Sequence, residues 1–141
     1  MLMRGPDLQQ RLQPMVDEAN ASGRCLGVLL LGLQGLRQFN IQHGYERGER
    51  LATLVLSLVR EALRPGDQVM LVAPGEMLVL LPGLRDTQHA QLAASRLLRQ
   101  FTTPLDVLGL PVLANVAVGI ATCPEHGDRP AHALQQGGGG R

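Results

Sequence analysis

Apolar positions recur along the chain with two different periods, and the switches between them divide it into elements. From Asp7 to Ser22, Leu8, Leu12, Met15, Val16 and Ala19 return at helical spacing, with Asp7 placed to cap the helix and Gly23 to end it. Pro14 lies inside this stretch and predicts a kink, because it removes one helix hydrogen bond. Cys25 to Leu33, CLGVLLLGL, is a near-continuous apolar run, the pattern of a central strand buried on both faces. Leu36 to Ile41 reads as a short helical turn, broken by Gly44-Tyr45-Glu46-Arg47-Gly48. Glu49 to Leu63 predicts a strong helix with Leu51, Leu54, Val55, Leu58 and Ala62 on one face. Leu56, Val59 and Leu63 widen the stripe; burial against neighbouring helices accounts for it more simply than a partner surface does.

Arg64-Pro65-Gly66-Asp67 stops that helix by turn chemistry. Val69–Val72 and Met77–Leu81 read as strands. Pro74-Gly75 between them fits the centre of a type II turn, in which proline sets one dihedral and glycine accepts the positive one. Type II turns match the twist of the tightest hairpins poorly, so a wider loop is the alternative. Asp86 to Phe101 predicts a helix with Ala90, Ala94, Leu97, Leu98 and Phe101 inward and Ser95 and Arg99 outward. Pro104–Leu108 and Val112–Thr122 predict a second antiparallel pair around Gly109-Leu110-Pro111. After Pro124 the chain turns polar and ends QQGGGGR, a low-complexity tail.

Two strand–helix–strand halves around a hairpin predict the α+β class. The expected architecture is an α/β sandwich whose antiparallel-rich sheet is flanked by helices, of the ferredoxin-like or split βαβ type. The expected division is a helix and lead-in over 1–24, one domain over 25–132 and a Gly-rich tail over 133–141.

A chain of 141 residues that is 45% hydrophobic suits one domain with its own core. A net charge of +1 does not predict non-specific binding to nucleic acid or to an anionic membrane. Aromatics at 2%, with no Trp, argue against base-stacking platforms. The N-terminal MLMRGPDLQQ lacks the apolar core of a signal peptide, and the apolar run around Leu26 to Leu33 is too short to span a bilayer. A cytoplasmic protein is the expectation. Cys25 and Cys123 each adjoin an apolar run; two buried free thiols are expected, with a disulfide as the alternative. Four histidines show no metal-ligand spacing, and the Cys123/His126 pair has no further ligand to complete a site. Neither a P-loop nor a Gly-x-Ser-x-Gly elbow occurs.

The segments LLLGLQGLRQFN, GYERGERL, RPGDQVMLVAPGEMLVLLPG and VAVGIATCPEHGD together resemble the GGDEF domains of bacterial diguanylate cyclases, which join two GTP molecules into cyclic di-GMP. The match runs without gaps from about Gly27 to Gly83 and more loosely to Asp128. The resemblance implies a nucleotide-cyclase-type sheet and a set of positions with known duties. The metal-binding Asp at the end of the first strand falls on Gly32, and the phosphate-meeting lysine on Arg37. The guanine-reading Asn falls on Asn40, and the second guanine-reading acid on Glu49. The signature loop falls on Ala73-Pro74-Gly75-Glu76-Met77, where the third position has no carboxylate and Glu76 alone is acidic. The family's C-terminal helix has no counterpart after His132.

Taken together, these positions imply a GGDEF domain that has lost catalysis, with no magnesium site and no cofactor. Glu76 reads more simply as a solvated charge, Glu49 as support for a helix start, Arg37 as a surface residue, and Asn40 equally as a cap or as a residual guanine contact. The family's inhibitory product site, an Arg-x-x-Asp five residues before the signature loop, falls on Arg64 and Asp67. Arg96 and Arg99 are candidates to meet a phosphate there, although the same residues also make a good helix-to-strand turn. The resemblance points to cyclic di-GMP, or another protein of its pathway, as partner, and to a monomer or weak homodimer. A partner-binding domain without nucleotide, and a residually active cyclase, are the rival readings.

Overall fold

The computed structural model describes residues 5–123. In chain order these are α1 (Gly5–Ser22), β1 (Cys25–Leu33), α2 (Leu36–His43), α3 (Tyr45–Ala62), β2 (Gln68–Ala73), β3 (Glu76–Leu84), α4 (Gln88–Arg99), β4 (Leu105–Val107), β5 (Leu110–Val112) and β6 (Val116–Cys123). The Gly-rich tail, His126, and the ends of the 25–132 and 133–141 segments lie outside the described residues. Four strands form one sheet in the order β2-β3-β1-β6, every neighbouring pair antiparallel. With the β4-β5 hairpin set apart, that is the order of the ferredoxin-like fold expected from the sequence.

β1 is central, and its residues alternate between two cores. Leu29, Leu31 and Leu33 join Met77, Val79 and Leu81 beneath α3 and α4, whereas Leu26 and Val28 join Met70, Leu78 and Leu80 beneath α1. Each of these leucines contributes about 1.5–3 kcal/mol when fully buried, which is why an apolar run on both faces makes a central strand. Leu8, Leu12, Met15, Val16 and Ala19 of α1 pack on the second core as their spacing predicts. The helix continues through Pro14. Gln10, whose carbonyl loses its partner there, is exposed, so water can satisfy it. Among the described residues no helix is long and apolar enough to cross a membrane.

Several expectations are corrected. α3 begins at Tyr45 rather than Glu49, because Gly44 alone breaks the backbone, with φ 93°. Its fully buried line is Gly48, Leu51, Val55 and Val59, while Leu54, Leu58 and Ala62 are half-buried. In α4, Leu98 is exposed; Ala90, Ala94 and Leu97 face the core, and Asp86 Oδ1 accepts the Gln88 N–H at 2.8 Å to start the helix. The second antiparallel pair is not Pro104–Leu108 with Val112–Thr122. β4 pairs with β5 around Leu108-Gly109, and the long β6 pairs instead with β1, Leu33 opposite Val116 and Leu26 opposite Cys123. Leu108 and Gly109 both have positive φ, 51° and 87°, the signature of a two-residue primed turn that closes a hairpin at once.

The cysteines are free. Cys123 is buried on the α1 side, whereas Cys25 is half-buried against the α3/α4 core. Placed on opposite faces of the sheet, they are not poised to bond.

Candidate functional site

The β2-β3 hairpin carries the loop Ala73–Met77. Ala73 pairs with Glu76, so the turn is the tight two-residue one and not the wider loop. Gly75 has φ 75°, as the third position of a type II turn requires. The twist mismatch of such a turn is absorbed by a register shift between Leu71 and Ala73. Gly75 is buried, and its carbonyl accepts the Leu33 N–H at 2.7 Å. A Cβ there would stand 3.1 Å from Leu36 Cδ2. The hairpin tip is thus seated on the end of β1.

Gly32 lies opposite Glu76 on one side and opposite Ala117 on the other. The Gln34 side chain folds back and donates to the Gly32 carbonyl at 3.2 Å, while the Gln34 N–H donates to Asn115 O at 2.7 Å. Glu76 and Met77 diverge, Glu76 exposed and Met77 fully buried, by ordinary strand alternation. Among the described residues no three His, Cys, Asp or Glu side chains gather as a metal-ligand group.

Asn40 lies within α2, which extends to His43, two residues beyond the predicted end. Its backbone carbonyl, not its side chain, accepts the Gly44 N–H at 2.8 Å. The side chain lies over Gly48, where any Cβ would coincide with Asn40 Oδ1. Asn40 Oδ1 and Arg47 Nε are buried without a hydrogen-bond partner among the described residues. The α2–α3 elbow is therefore built around a glycine that makes room for an amide. Glu49 is exposed in the second turn of α3, so it does not support the helix start; Glu46 holds the first-turn position. Arg37 is exposed on α2.

Arg64 and Asp67 are brought together. The Asp67 carboxylate accepts from the Arg64 backbone N–H at 2.9 Å, from Nε at 3.1 Å and from Nη2 at 2.8 Å. Nη2 also donates to the Pro82 carbonyl at 3.1 Å, tying the α3–β2 turn to the end of β3. The Asp67 side chain is 2% exposed and that of Arg64 48%. Hydrogen bonding to Asp67 raises the Arg64 pKa, partial burial opposes this, and the charge of Asp67 adds to the rise. The pair borders a cavity of about 430 Å³ between the end of α3, the end of β3 and α4. Arg96 lines this cavity as predicted, and Arg99 is not among its lining residues. Arg24, Arg85 and His89 line it too, which spacing along the chain did not single out. Arg24 and Arg85 flank the paired ends of β1 and β3, Cys25 and Leu84, and His89 lies in the first turn of α4.

A family model described as "Diguanylate cyclase, GGDEF domain" matches residues 7–138. Among curated proteins, the diguanylate cyclase TpbB of Pseudomonas aeruginosa is 28% identical over 125 residues, 88% of this chain and 29% of that protein. The cyclic di-GMP phosphodiesterase NbdA of the same organism is 24% identical over 123 residues, 87% of this chain and 16% of that protein. The chain therefore spans less than a third of the length of these relatives. Among solved structures, the GGDEF domain of TpbB superposes with a TM-score of 0.86 at 26% identity, covering 97% of this chain and 80% of that one. The FimX GGDEF domain of Pseudomonas aeruginosa shares the fold, with a TM-score of 0.82 at 17% identity over 97% of this chain and 85% of that one.

Proposed function

The chain belongs to the GGDEF domain family, and on that footing we propose that it is a catalytically silent member that acts in cyclic di-GMP signalling as a receptor for the dinucleotide. The observation that carries this reading is the Arg64–Asp67 pair at the mouth of an arginine-lined cavity. Guanine's Hoogsteen edge offers acceptors, which a guanidinium can meet, and its Watson–Crick edge offers donors, which a carboxylate can accept. The Nε/Nη2 edge of Arg64 is engaged by Asp67 and Pro82. Binding therefore uses the Nη1 side or exchanges part of the Asp67 contact for base contacts.

The silence is argued from the donor set at the hairpin. Phosphoryl transfer depends on cations that bridge the phosphates and draw off charge. Magnesium is held through carboxylates together with phosphate oxygens and water. Gly32 and Gly75 bring no side-chain oxygen, Pro74 brings no N–H, and Glu76 is a single exposed carboxylate. These residues do not fit the ion. Loss of one preorganised electrostatic group commonly costs about 100-fold or more in rate, and several are missing here.

Isothermal titration calorimetry with cyclic di-GMP tests the receptor reading. Heat is expected with the wild type and not with Arg64→Ala; a flat wild-type titration rejects it. Overnight incubation with GTP and magnesium, followed by chromatography, tests the silence. Product that disappears in Glu76→Ala would reject it.

A second reading, a nucleotide-free interaction module, is favoured by the α2–α3 elbow, where Ile41 is 73% and Tyr45 78% exposed. Cross-linking or co-purification of a partner without nucleotide, lost on Ile41→Ser, separates the two.

A further inference from the structure

β2 and β6 are the two outer members of the four-stranded sheet, and their edges differ. β2 is interrupted by a register shift between Leu71 and Ala73 and runs into Pro74. At its other end the Gln68 side chain accepts from Arg11 Nη1 of α1 at 3.3 Å. Bulges, prolines and charged neighbours are the devices that keep an edge from adding a strand. β6 has none of them. It pairs with β1 without a register shift from Val116 to Cys123, and no residue in it is charged or a proline. Among the described residues no strand pairs with its outer edge. Val116, Val118 and Ile120 point to the α3/α4 core and are only half-buried. On the other face Ala117 is exposed and Gly119 and Ala121 are half-buried. Leu30, opposite Gly119 on the central strand, is 48% exposed on that same face. α1 therefore leaves this side of the sheet open, and a strand can approach β6 there without displacing that helix.

We propose that β6 is an interface between two copies of this chain. The two strands pair antiparallel about a two-fold axis at Gly119 and join two sheets into one. Opposed residues of an antiparallel ladder share a face, so the axis passes through a residue and not between two. Centred on Gly119, the ladder spans 116–122 and sets Val118 against Ile120 of the second copy, two β-branched side chains on the half-buried face. Ala117 meets Ala121 of the second copy on the open face. A strand without charge meets its own copy with no like-charge repulsion, which is what a self-complementary interface requires. Addition of β6 to β2 of another copy would be heterologous and could run on without closing; the guarded β2 edge disfavours it. Residues 124–141 carry Pro124, Pro130 and the glycine run 137–140, residue types that strand ladders exclude, so a second copy suits the edge better than they do. No nucleotide enters this proposal, and it stands or falls apart from the receptor reading.

Sedimentation velocity of the chain without nucleotide, over a range of concentrations, tests this. A monomer–dimer equilibrium is expected, and a weak one, because a single strand ladder is smaller than the roughly 1,600 Å² of a standard stable interface. Hydrogen exchange across the same range should show outward-pointing amides of 116–122 slowing as dimer forms, with those of β2 unchanged. Ala117→Lys, at an exposed position, should keep the wild-type melting temperature and weaken the dimer about tenfold or more, as a charge on a strand edge does. Adding Ala121→Glu should recover the dimer, since the register sets the two new charges against each other across the axis. Within one chain they lie four residues apart along the strand, too far to pair. A chain that stays monomeric at every concentration overturns the proposal. So does a dimer that Ala117→Lys leaves as tight as the wild type. Outer β6 amides already protected in the dilute monomer also overturn it, and assign the edge to residues 124–141. A dimer weakened by the single variant and not recovered by the double one keeps the interface and overturns the Gly119 register. If Ala117→Lys melts early, the wild-type exchange data decide alone.

Discussion

Gly32 of β1 stands directly opposite Glu76 of β3, so the strand position that carries a metal-binding Asp in the resembled family faces the acidic residue of the hairpin. A Cβ at Gly32 would meet only the end of the flexible Gln34 side chain, at 3.2 Å. Gly32→Asp is therefore expected to fold. It sets two carboxylates across one ladder, which should cost about 0.5–1 kcal/mol by like-charge repulsion. Thermal melting with and without magnesium chloride checks this: the loss should shrink when the cation is present.

Gly75→Asp should behave differently. The residue sits at φ 75°, and a Cβ would stand 3.1 Å from Leu36 Cδ2 and 3.4 Å from Leu33 Cβ. Left-handed backbone costs a non-glycine residue about 1–2 kcal/mol before any crowding. Urea unfolding should show at least that loss, with an unchanged slope. Restoring the acid at this position alone is not expected to restore a cation site.

Gly48 and Asn40 should couple. Gly48→Ala drives a methyl into the space of the Asn40 amide and should destabilise by about 1–3 kcal/mol. In the background of Asn40→Ala the same substitution should cost far less, and the helical preference of alanine over glycine becomes visible. A double-mutant cycle in urea measures the difference. Additive effects would show that the two side chains do not compete for one space.

Leu108 holds φ 51° at the tip of the β4-β5 hairpin and is 47% exposed. A leucine gains little there from burial and bears the left-handed strain. Leu108→Asn suits the primed turn and should raise stability by about 1 kcal/mol. A melting temperature that falls instead would mean that the side chain has packing partners of its own.

The two thiols should separate by reactivity. Burial pushes the Cys123 thiol up, and the neighbouring Cys25 adds to the shift. A raised pKa leaves less thiolate at a given pH, and thiolate is the reactive form. A disulfide reagent at mildly alkaline pH should modify the half-buried Cys25 first and Cys123 slowly, with the slow phase accelerating in denaturant. Two equally fast thiols would contradict the placement of Cys123 in the core.

What the chain declares by itself is local. Helical spacing in α1 names the residues that meet the second core, the run from Cys25 to Leu33 names the central strand, and Pro74-Gly75 names its turn. Each of these depends on neighbours within a few residues, where backbone geometry and apolar period leave few alternatives. The glycines at Gly32 and Gly75, where the resembled family carries acids, and the Arg64/Asp67 spacing are legible in the same way. Strand partnership is not. β6 and β5 are both apolar segments that could follow Leu105–Val107, and periodicity does not say that β6 crosses to β1 while β5 turns back. That choice belongs to the whole sheet, because β3 holds one edge of β1 and β6 takes the other, where its side chains meet both cores. The Asn40–Gly48 contact and the Arg64–Pro82 hydrogen bond arise above the single element too. They join residues that no local period relates, and the packing of one element on another is what sets them side by side.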